Sequence, residues 1–187
     1  ANPDDIDLQR NLGRGLYLYA VNFNNPALLT DAVRMLKRVH EADPKDYESL
    51  VLLGNALFDA GQHGDAAQFV EARKYYLKAL ETKPDDVNVR TDLGLTYYFD
   101  RPADPARAIR EYRKSLAVNP RHEMTLQNLA AALITTGETA EAQKRIDELA
   151  EVNASNPALP NLRAQLAQEK NAAAVGGRNT KTSGERN

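Results

Sequence analysis

The sequence predicts an all-α fold built from repeated pairs of helices. Alanine is abundant and valine and isoleucine are scarce between positions 100 and 187, a composition that favours helix over sheet. No run of residues alternates apolar and polar side chains as a half-buried strand would. Prolines recur at positions 44, 84, 120 and 157, at intervals of 40, 36 and 37 residues, which indicates an internal repeat.

Two apolar patterns with helical spacing recur in a fixed order along the chain. The first is Tyr19-Ala20-Phe23, Leu53-Gly54-Leu57, Leu93-Gly94-Tyr97 and Leu129-Ala130-Leu133. The second, spaced by four and three residues, is Ala32-Leu36-Val39, Ala72-Tyr76-Ala79, Ala108-Tyr112-Ser115 and Ala142-Ile146-Leu149. A small residue lets two helix backbones approach closely, and the large residues fill the seam beside it. Each repeat is therefore predicted to be a first helix followed by a second helix.

The predicted helix bounds follow from these patterns and from residues that start or stop helices. We expect helices at about 5–23, 27–42, 46–60, 64–82, 86–99, 105–118, 121–136, 139–152 and 157–173. Capping side chains stand before a proline at Asn25-Pro26, Asp104-Pro105 and Asn156-Pro157. Gly61 and Gly137 stand where a first helix should end in a left-handed residue.

These repeats resemble the tetratricopeptide repeat family, whose unit is about 34 residues with a closing proline. The frame gives a single domain at 1–175, with repeats at about 13–46, 47–86, 87–122 and 123–156. The family's tryptophan is absent, and the second and third repeats are six and two residues too long. The resemblance implies a right-handed superhelical solenoid of four helix pairs with a capping helix at 157–173. The polar tail at 176–187 should be disordered unless a partner holds it.

The resemblance also implies a concave groove lined by the first helix of each pair, which would bind a partner segment. Its expected lining residues are Tyr17, Val21, Asn24, Glu48, Val51, Asn55, Asp59, Asn88, Thr91, Asp92, Leu95, Tyr98, Met124, Gln127 and Asn128. Leu52 and Ala131 lie beside them. Amides and carboxylates among them suit a peptide backbone, whereas the alternative is that they form the solvated side of ordinary helices.

The distribution of charge predicts a neutral or basic partner. First-helix segments at 1–25, 43–62, 84–102 and 120–137 sum to −6. The first three second-helix segments, at 26–42, 63–83 and 103–119, sum to +4, whereas the fourth, at 138–156, is −3. Two alternatives stay open. Copies of the chain could associate, convex face on groove or tail into groove, as a ring or filament. The alternating charge could instead only keep a small solenoid soluble.

An acidic chaperone tail is excluded from the predicted partners. Some members of the family grip the C-terminal carboxylate of chaperones with two lysines, an arginine and two asparagines on their first helices. The matching positions here are Val51, Asn55, Asp92, Met124 and Asn128. Only Asn55 fits this pattern, and Asp92 would repel a carboxylate.

The sequence predicts no catalysis, no cofactor and no metal site. His40, His63 and His122 lie on separate elements, and the chain has no cysteine. Gly13-Arg14-Gly15 lacks the preceding strand and the lysine-serine ending of a phosphate loop. The net charge of −2 argues against nucleic-acid binding. The longest apolar runs have six residues, whereas a membrane span needs about 20.

A looser resemblance concerns where the protein works. The stretch at 86–94 and the absence of cysteine resemble bacterial tetratricopeptide proteins of cytochrome maturation and envelope assembly. This implies a periplasmic domain, anchored through a removed upstream segment, with a cytoplasmic location as the alternative. The predicted function is a non-catalytic scaffold for protein–protein interaction, such as an assembly or maturation factor. The alternative is a structural subunit that self-assembles or is a fixed component of a larger complex or filament.

Overall fold

The computed structural model describes the backbone of residues 5–182 and the side chains of residues 5–174. Over that range the chain forms α1 (Ile6–Asn22), α2 (Ala27–Ala42), α3 (Tyr47–Gln62), α4 (Ala67–Thr82), α5 (Val87–Phe99), α6 (Pro105–Val118), α7 (Glu123–Thr135), α8 (Thr139–Val152) and α9 (Leu159–Thr182). These described residues contain helices and no strand, in the order of four helix pairs and a closing helix. The all-α prediction is confirmed. No described helix combines the length and apolar character needed to cross a bilayer.

The second helix of each pair buries the residues of the second sequence pattern. All twelve of its members are at most 1% exposed: Ala32, Leu36, Val39, Ala72, Tyr76, Ala79, Ala108, Tyr112, Ser115, Ala142, Ile146 and Leu149. Their spacing of four and three places them on one face of each helix, so that face packs inward. Removing this apolar surface from water, at about 25 cal/mol per Å², is the main stabilising term of each pair.

Two glycines let α3 and α4 approach closely. A Cβ atom on Gly54 would lie 2.4 Å from Cε1 of Tyr76. A Cβ atom on Gly61 would lie 2.7 Å from Cε1 of Phe69, whose side chain is buried in the core. Real Cβ atoms do not approach other heavy atoms this closely. The two glycines therefore fix how the aromatic rings of α4 seat against α3.

The end of α3 differs from the prediction made at Gly61. The helix continues to Gln62, and the residue with a positive φ is Gly64, at 116°. A glycine at position 61 leaves space for the Phe69 ring inside the helix. Its predicted role as a left-handed helix end is therefore wrong. Gly137, with φ at 76°, follows α7 as predicted.

The extra length of the second repeat is distributed over both helices and their loop. α3 and α4 have 16 residues each, whereas α7 and α8 have 13 and 14. The surplus does not lengthen the second helix by a full turn, because α4 exceeds α8 by only two residues. In the third repeat α5 and α6 have the same lengths as α7 and α8, so its surplus lies in the loop at 100–104.

α1 departs from the predicted core pattern at its C-terminal end. Tyr19 and Phe23 are 51% and 67% exposed, whereas Leu53 and Leu57, at the same positions of the next pair, are 0% and 3% exposed. The prediction that these residues fill a seam is therefore wrong for the first pair. The physical reason is that α3 packs against both α2 and α4, whereas no described helix precedes α1.

α9 closes the C-terminal end of the fold. Leu159, Leu162 and Leu166 are buried where α9 packs against α7 and α8, as predicted for a cap. The helix extends to Thr182 rather than to 173, because extending a formed helix adds one hydrogen bond per residue and no proline interrupts it. The expectation that the tail at 176–187 is disordered unless a partner holds it stays a prediction, and residues 183–187 lie outside the described residues.

The helices divide into two compact units whose boundary lies inside α6. Unit 1 ends at Glu111 and contains α1 to α5 with the beginning of α6, and unit 2 starts at Tyr112. In unit 1, Arg90 Nη1 lies 3.2 Å from Glu111 Oε2 and ties α5 to α6. In unit 2, Arg113 Nη2 lies 2.7 Å from Glu141 Oε2 and ties α6 to α8. The single domain at 1–175 stays a prediction.

Candidate functional site

First helices of unit 1 line a trough made of two cavities. The smaller, of about 200 Å³, is lined by Tyr17, Asn55, Phe58, Asp59, Tyr76 and Asp92. The larger, of about 370 Å³, is lined by Tyr47, Glu48, Val51, Leu52, Asn55, Asp86, Asn88, Val89 and Asp92. Asn55 and Asp92 belong to both cavities. We call the two together the trough and the smaller one the acidic pocket.

A chain of hydrogen bonds runs through the acidic pocket from the core outward. The Tyr76 hydroxyl donates to Oδ1 of Asn55 at 2.9 Å, which orients the amide. The amide of Asn55 in turn donates to the Tyr17 oxygen, and the Tyr17 hydroxyl donates to the Asp59 carboxylate. Because Tyr76 is itself fixed by packing against Gly54, the pocket wall is positioned by the core. A preformed wall of this kind lowers the entropic cost of binding.

Asp92 also lines the acidic pocket, and its carboxyl group has no side-chain partner among the described residues. No described side chain donates a hydrogen bond to its carboxyl group or forms an ion pair with it. Burial, together with the nearby carboxylates of Asp86 and Asp59, raises the pKa of Asp92 to about 7. Near neutral pH the trough therefore holds a carboxyl group that is close to half ionised and that no cation of the described part of the chain compensates.

Asp59 is also desolvated, but two neighbouring groups offset part of the effect on its pKa. Burial raises its pKa, whereas the hydrogen bond from Tyr17 and the charge of His63 lower it. The two pocket carboxyls, Asp59 and Asp92, therefore favour a positively charged occupant. They do not make a metal site, since no three His, Asp or Glu side chains of the described part of the chain are placed to hold an ion.

The larger cavity is framed by groups that are held in place. The Tyr47 hydroxyl donates to Asp86, which also caps α5 by accepting from the Val89 amide at 3.0 Å. Lys83 Nζ lies 3.7 Å from the centre of the Tyr47 ring. These contacts hold Tyr47 and Asp86 in place in the wall of the larger cavity. Apolar side chains, such as Val51, line the same cavity beside them. The larger cavity thus offers apolar contact beside the acidic pocket.

The structure brings about half of the predicted groove residues together. Those that line the trough are Tyr17, Glu48, Val51, Asn55, Asp59, Asn88 and Asp92. Val21, Leu95 and Tyr98 line neither cavity, and Asn24 lies in the turn after α1 with φ at 49°.

Thr91 is a correction to the predicted groove. Its side chain is fully buried, and its hydroxyl donates to the Val87 carbonyl at 2.6 Å. A threonine that bonds the carbonyl one turn back folds its short side chain onto its own helix. Thr91 therefore cannot contact a partner, although its spacing placed it on the exposed side.

Five lining residues were missed by the sequence analysis: Tyr47, Phe58, Tyr76, Asp86 and Val89. The repeat pattern assigned Tyr76 to the core, where its ring does lie. Its hydroxyl was the available signal, because a buried tyrosine hydroxyl needs a polar partner nearby. That partner, Asn55, was already among the predicted residues.

The three predicted residues of unit 2 are partly used inside that unit. Met124 is exposed and Asn128 is half-buried. Gln127 accepts a hydrogen bond from Asn156 Nδ2 at 3.4 Å, and the same nitrogen donates to Glu123 Oε1 at 2.6 Å. Gln127 therefore helps to hold the loop before α9.

Another depression of unit 1 is larger than either cavity of the trough. It measures about 520 Å³ and lies where the loop at Pro44 meets the end of α4. Its charged lining residues, Lys45, Lys78 and Glu81, are exposed and of mixed sign. Exposed charges of mixed sign are hydrated already and gain little from a ligand. The trough is therefore the better candidate site.

Residues 103–166 match the family model described as tetratricopeptide repeat. No curated protein matches the chain. The crystal structure of MamA is similar over 82% of this chain and 81% of that one, with a TM-score of 0.67 and 22% identity. A tetratricopeptide repeat protein from Parabacteroides merdae ATCC 43184 is similar over 87% of this chain and 61% of that one, with a TM-score of 0.67 and 20% identity.

The first TPR of Spaghetti (RPAP3), solved bound to an HSP90 peptide, is similar over 71% of this chain and 98% of that one. Its TM-score is 0.59 and its identity 22%. At these identities the solved structures show the fold alone. The matched segment at 103–166 and the fold shared with solved tetratricopeptide repeat structures agree with the repeated helix pairs, and they support the resemblance to the tetratricopeptide repeat family.

Proposed function

We propose that this protein is a non-catalytic interaction scaffold whose trough binds an extended, neutral or basic segment of a partner protein. A lysine or arginine side chain of that segment occupies the acidic pocket, and neighbouring residues lie along the larger cavity. The observation that carries the proposal is Asp92, a desolvated carboxyl group without a counter-charge among the described residues.

The size of the acidic pocket favours a side chain over a small molecule. At about 30 Å³ per water molecule, 200 Å³ is the space of about seven waters. Sites for small ligands usually measure about 300 to 1,000 Å³. The acidic pocket therefore fits one long side chain, and the larger cavity beside it fits the adjoining residues of the same segment.

The charge of the acidic pocket favours a cation. An ionised carboxylate that is removed from water without a partner costs several kcal/mol, and a bound ammonium or guanidinium group offsets this cost. Asp59 and Asp86 add to the attraction because their negative charge, which also raises the pKa of Asp92, acts on the same cation. An acidic segment would meet three carboxylates instead.

The similarity of fold to a peptide-bound domain supports peptide binding. The side chains that line the trough, however, favour a peptide of different charge. The RPAP3 domain is bound to the HSP90 peptide SRMEEVD, which ends in acidic residues and a carboxylate. In our chain Val51 and Asp92 stand at two of the positions where clamps for such tails carry other side chains. We therefore propose the same location for the ligand with the opposite charge.

A selection of random twelve-residue peptides on the immobilised protein at pH 8 tests this function. We expect the recovered peptides to be enriched in lysine or arginine next to neutral residues. Asp92→Asn should weaken their binding about tenfold or more, because a charge-assisted contact is lost. Asp31→Asn, on α2 outside the trough, is the matched control and should leave affinity unchanged. Enrichment in acidic peptides, or equal binding by Asp92→Asn, would refute the proposal.

We further propose that the partner is a protein under assembly or maturation in the bacterial envelope. The looser resemblance of the stretch at 86–94 supports this role. A photo-reactive amino acid at Val51, in the larger cavity, would cross-link the partner in cells of the source organism. We expect the cross-linked partner to be an envelope protein, and recovery of cytosolic proteins alone would contradict this assignment.

A further inference from the structure

The apolar part of the acidic pocket is aromatic. Tyr17, Phe58 and Tyr76 carry rings, and no aliphatic side chain is among the residues that line this pocket. The ring of Phe58 is held by two others, since its centre lies 5.4 Å from that of Phe69 and 6.1 Å from that of Phe99. Phe58 is half-buried, so its ring is fixed in place and still reaches the pocket. A fixed ring offers a flat surface on which a cation can lie.

The polar part of the acidic pocket offers hydrogen-bond acceptors. The Tyr76 hydroxyl donates to Asn55, and the Tyr17 hydroxyl donates to Asp59. Both hydroxyl protons are therefore engaged within the pocket wall. No described side chain donates to either oxygen of Asp92. A carboxylate with both oxygens available matches the paired N–H groups of a guanidinium, which bind it in a bidentate way.

We propose, on the basis of the function proposed above, that the acidic pocket selects arginine over lysine in the partner segment. The guanidinium group pairs with Asp92 and stacks on the ring of Phe58. Phe58 is then the residue that determines specificity, because a flat guanidinium stacks on its ring, whereas a compact ammonium group does not.

Unit 1 already contains a buried arginine in surroundings of this kind. Cζ of Arg73 lies 4.7 Å from the centre of the Tyr97 ring, and Nη2 of Arg73 pairs with the carboxylate of Asp100. The side chains of Arg73 and Asp100 are only 15% and 18% exposed. The acidic pocket offers the same two groups, a ring and a carboxylate, and none of the residues that line it is a cation. A guanidinium from the partner segment supplies the third group.

A lysine of the same unit shows the contrast. Nζ of Lys83 lies 3.7 Å from the centre of the Tyr47 ring, but Lys83 is exposed, so its ammonium group keeps contact with water. An ammonium group is more strongly hydrated than a guanidinium and loses more on entering a closed pocket. Desolvation in the acidic pocket is strong enough to raise the pKa of Asp92, and it therefore favours arginine.

Small ions that reproduce the two side chains test this selectivity. n-Propylguanidinium stands for arginine, n-butylammonium for lysine, and n-propylurea is the neutral control. Each is titrated into the full chain at pH 8 while the side-chain amide signals of Asn55 are followed by NMR. We expect the dissociation constant of n-propylguanidinium to be at least about fivefold lower than that of n-butylammonium. n-Propylurea should leave the signals unchanged.

Phe58→Leu separates stacking from charge. Leucine keeps the position apolar and removes the ring, so the preference for n-propylguanidinium should fall by about half or more while both ions still bind. The ratio of the two constants is the decisive measurement, because a general loss of structure would weaken both ions alike. Phe23→Leu removes an exposed ring of α1 outside the trough and is the matched control, which should keep the preference.

The outcomes distinguish this selectivity from the function on which it depends. Binding of n-butylammonium as tight as that of n-propylguanidinium, or an unchanged preference in Phe58→Leu, would overturn the selectivity for arginine and leave the proposed function standing. If neither ion shifts the Asn55 signals, or if n-propylurea binds as well as the ions, the acidic pocket does not select cations. Both proposals would then fail.

Discussion

Replacing Asp92 with asparagine should stabilise the free protein at pH 8 by about 2 to 4 kcal/mol and have little effect at pH 4. Asparagine keeps the shape of the side chain and removes its ability to ionise. In the folded protein burial raises the pKa of Asp92 from 3.8 to about 7. Ionisation of the native residue therefore opposes folding, and the variant no longer bears that cost.

The direction of the pH dependence follows from the raised pKa. Below pH 4 the carboxyl is protonated in both the folded and the unfolded state, so its contribution to stability is fully present. Between pH 4 and about 7 the unfolded chain loses the proton and the folded chain keeps it, so stability falls as pH rises. Above pH 7 both states are ionised, and the loss is complete.

Urea unfolding of the wild type and of Asp92→Asn at several pH values measures this difference directly. Taking the difference cancels the other shifted carboxyls, including Glu141, whose pKa is lowered by Arg113. Asp31→Asn again serves as the control and should follow the wild type. Equal stability of Asp92→Asn and wild type at pH 8 would mean that Asp92 is solvated or paired.

Tyr76→Ala should cost about 3 to 5 kcal/mol of stability in unit 1, the largest loss that we expect from one substitution. Its ring is almost fully buried between α3 and α4, and Gly54 is shaped to receive it. Truncation leaves a cavity and removes the hydroxyl that anchors Asn55. Calorimetry or chemical unfolding would measure the loss.

Two further substitutions, one at Tyr76 and one at the next residue, separate the stability lost through packing from that lost with the hydrogen bond. Tyr76→Phe keeps the ring and should cost about 1 kcal/mol, since only the bond to Asn55 is lost. It should also weaken peptide binding, because the amide in the acidic pocket is no longer oriented. Leu77→Ala, at an exposed position on the same helix, should cost less than about 1 kcal/mol. A loss at Leu77→Ala as large as at Tyr76→Ala would contradict the assignment of the core.

The fold was predictable from the sequence because the inward face of each second helix is periodic. The spacing of four and three residues singled out buried positions such as Ala72 and Ile146 without any structure. The pattern failed at Tyr19 and Phe23, where the same residue types lack a covering helix. Periodicity shows which residues share a face, but it does not show whether another element covers that face.

The site was predictable in position and not in its chemistry. Spacing along the first helices identified Tyr17, Asn55 and Asp92 as neighbours in space. It could not show that Asp92 is desolvated, because desolvation depends on how three helices pack together. The spacing also missed Tyr76 as a site residue. Its ring packs in the core, whereas its hydroxyl lies in the acidic pocket and bonds Asn55.

Observing the side-chain carboxyl carbon of Asp92 by NMR during a pH titration, with and without a bound peptide, tests the central claim most directly. A selected peptide with a lysine and its norleucine analogue form the matched pair. We expect a midpoint near 7 in the free protein. The lysine peptide should lower this midpoint by at least about one unit, and the norleucine peptide should not. A free midpoint near 4, or the same midpoint with both peptides, would contradict the account.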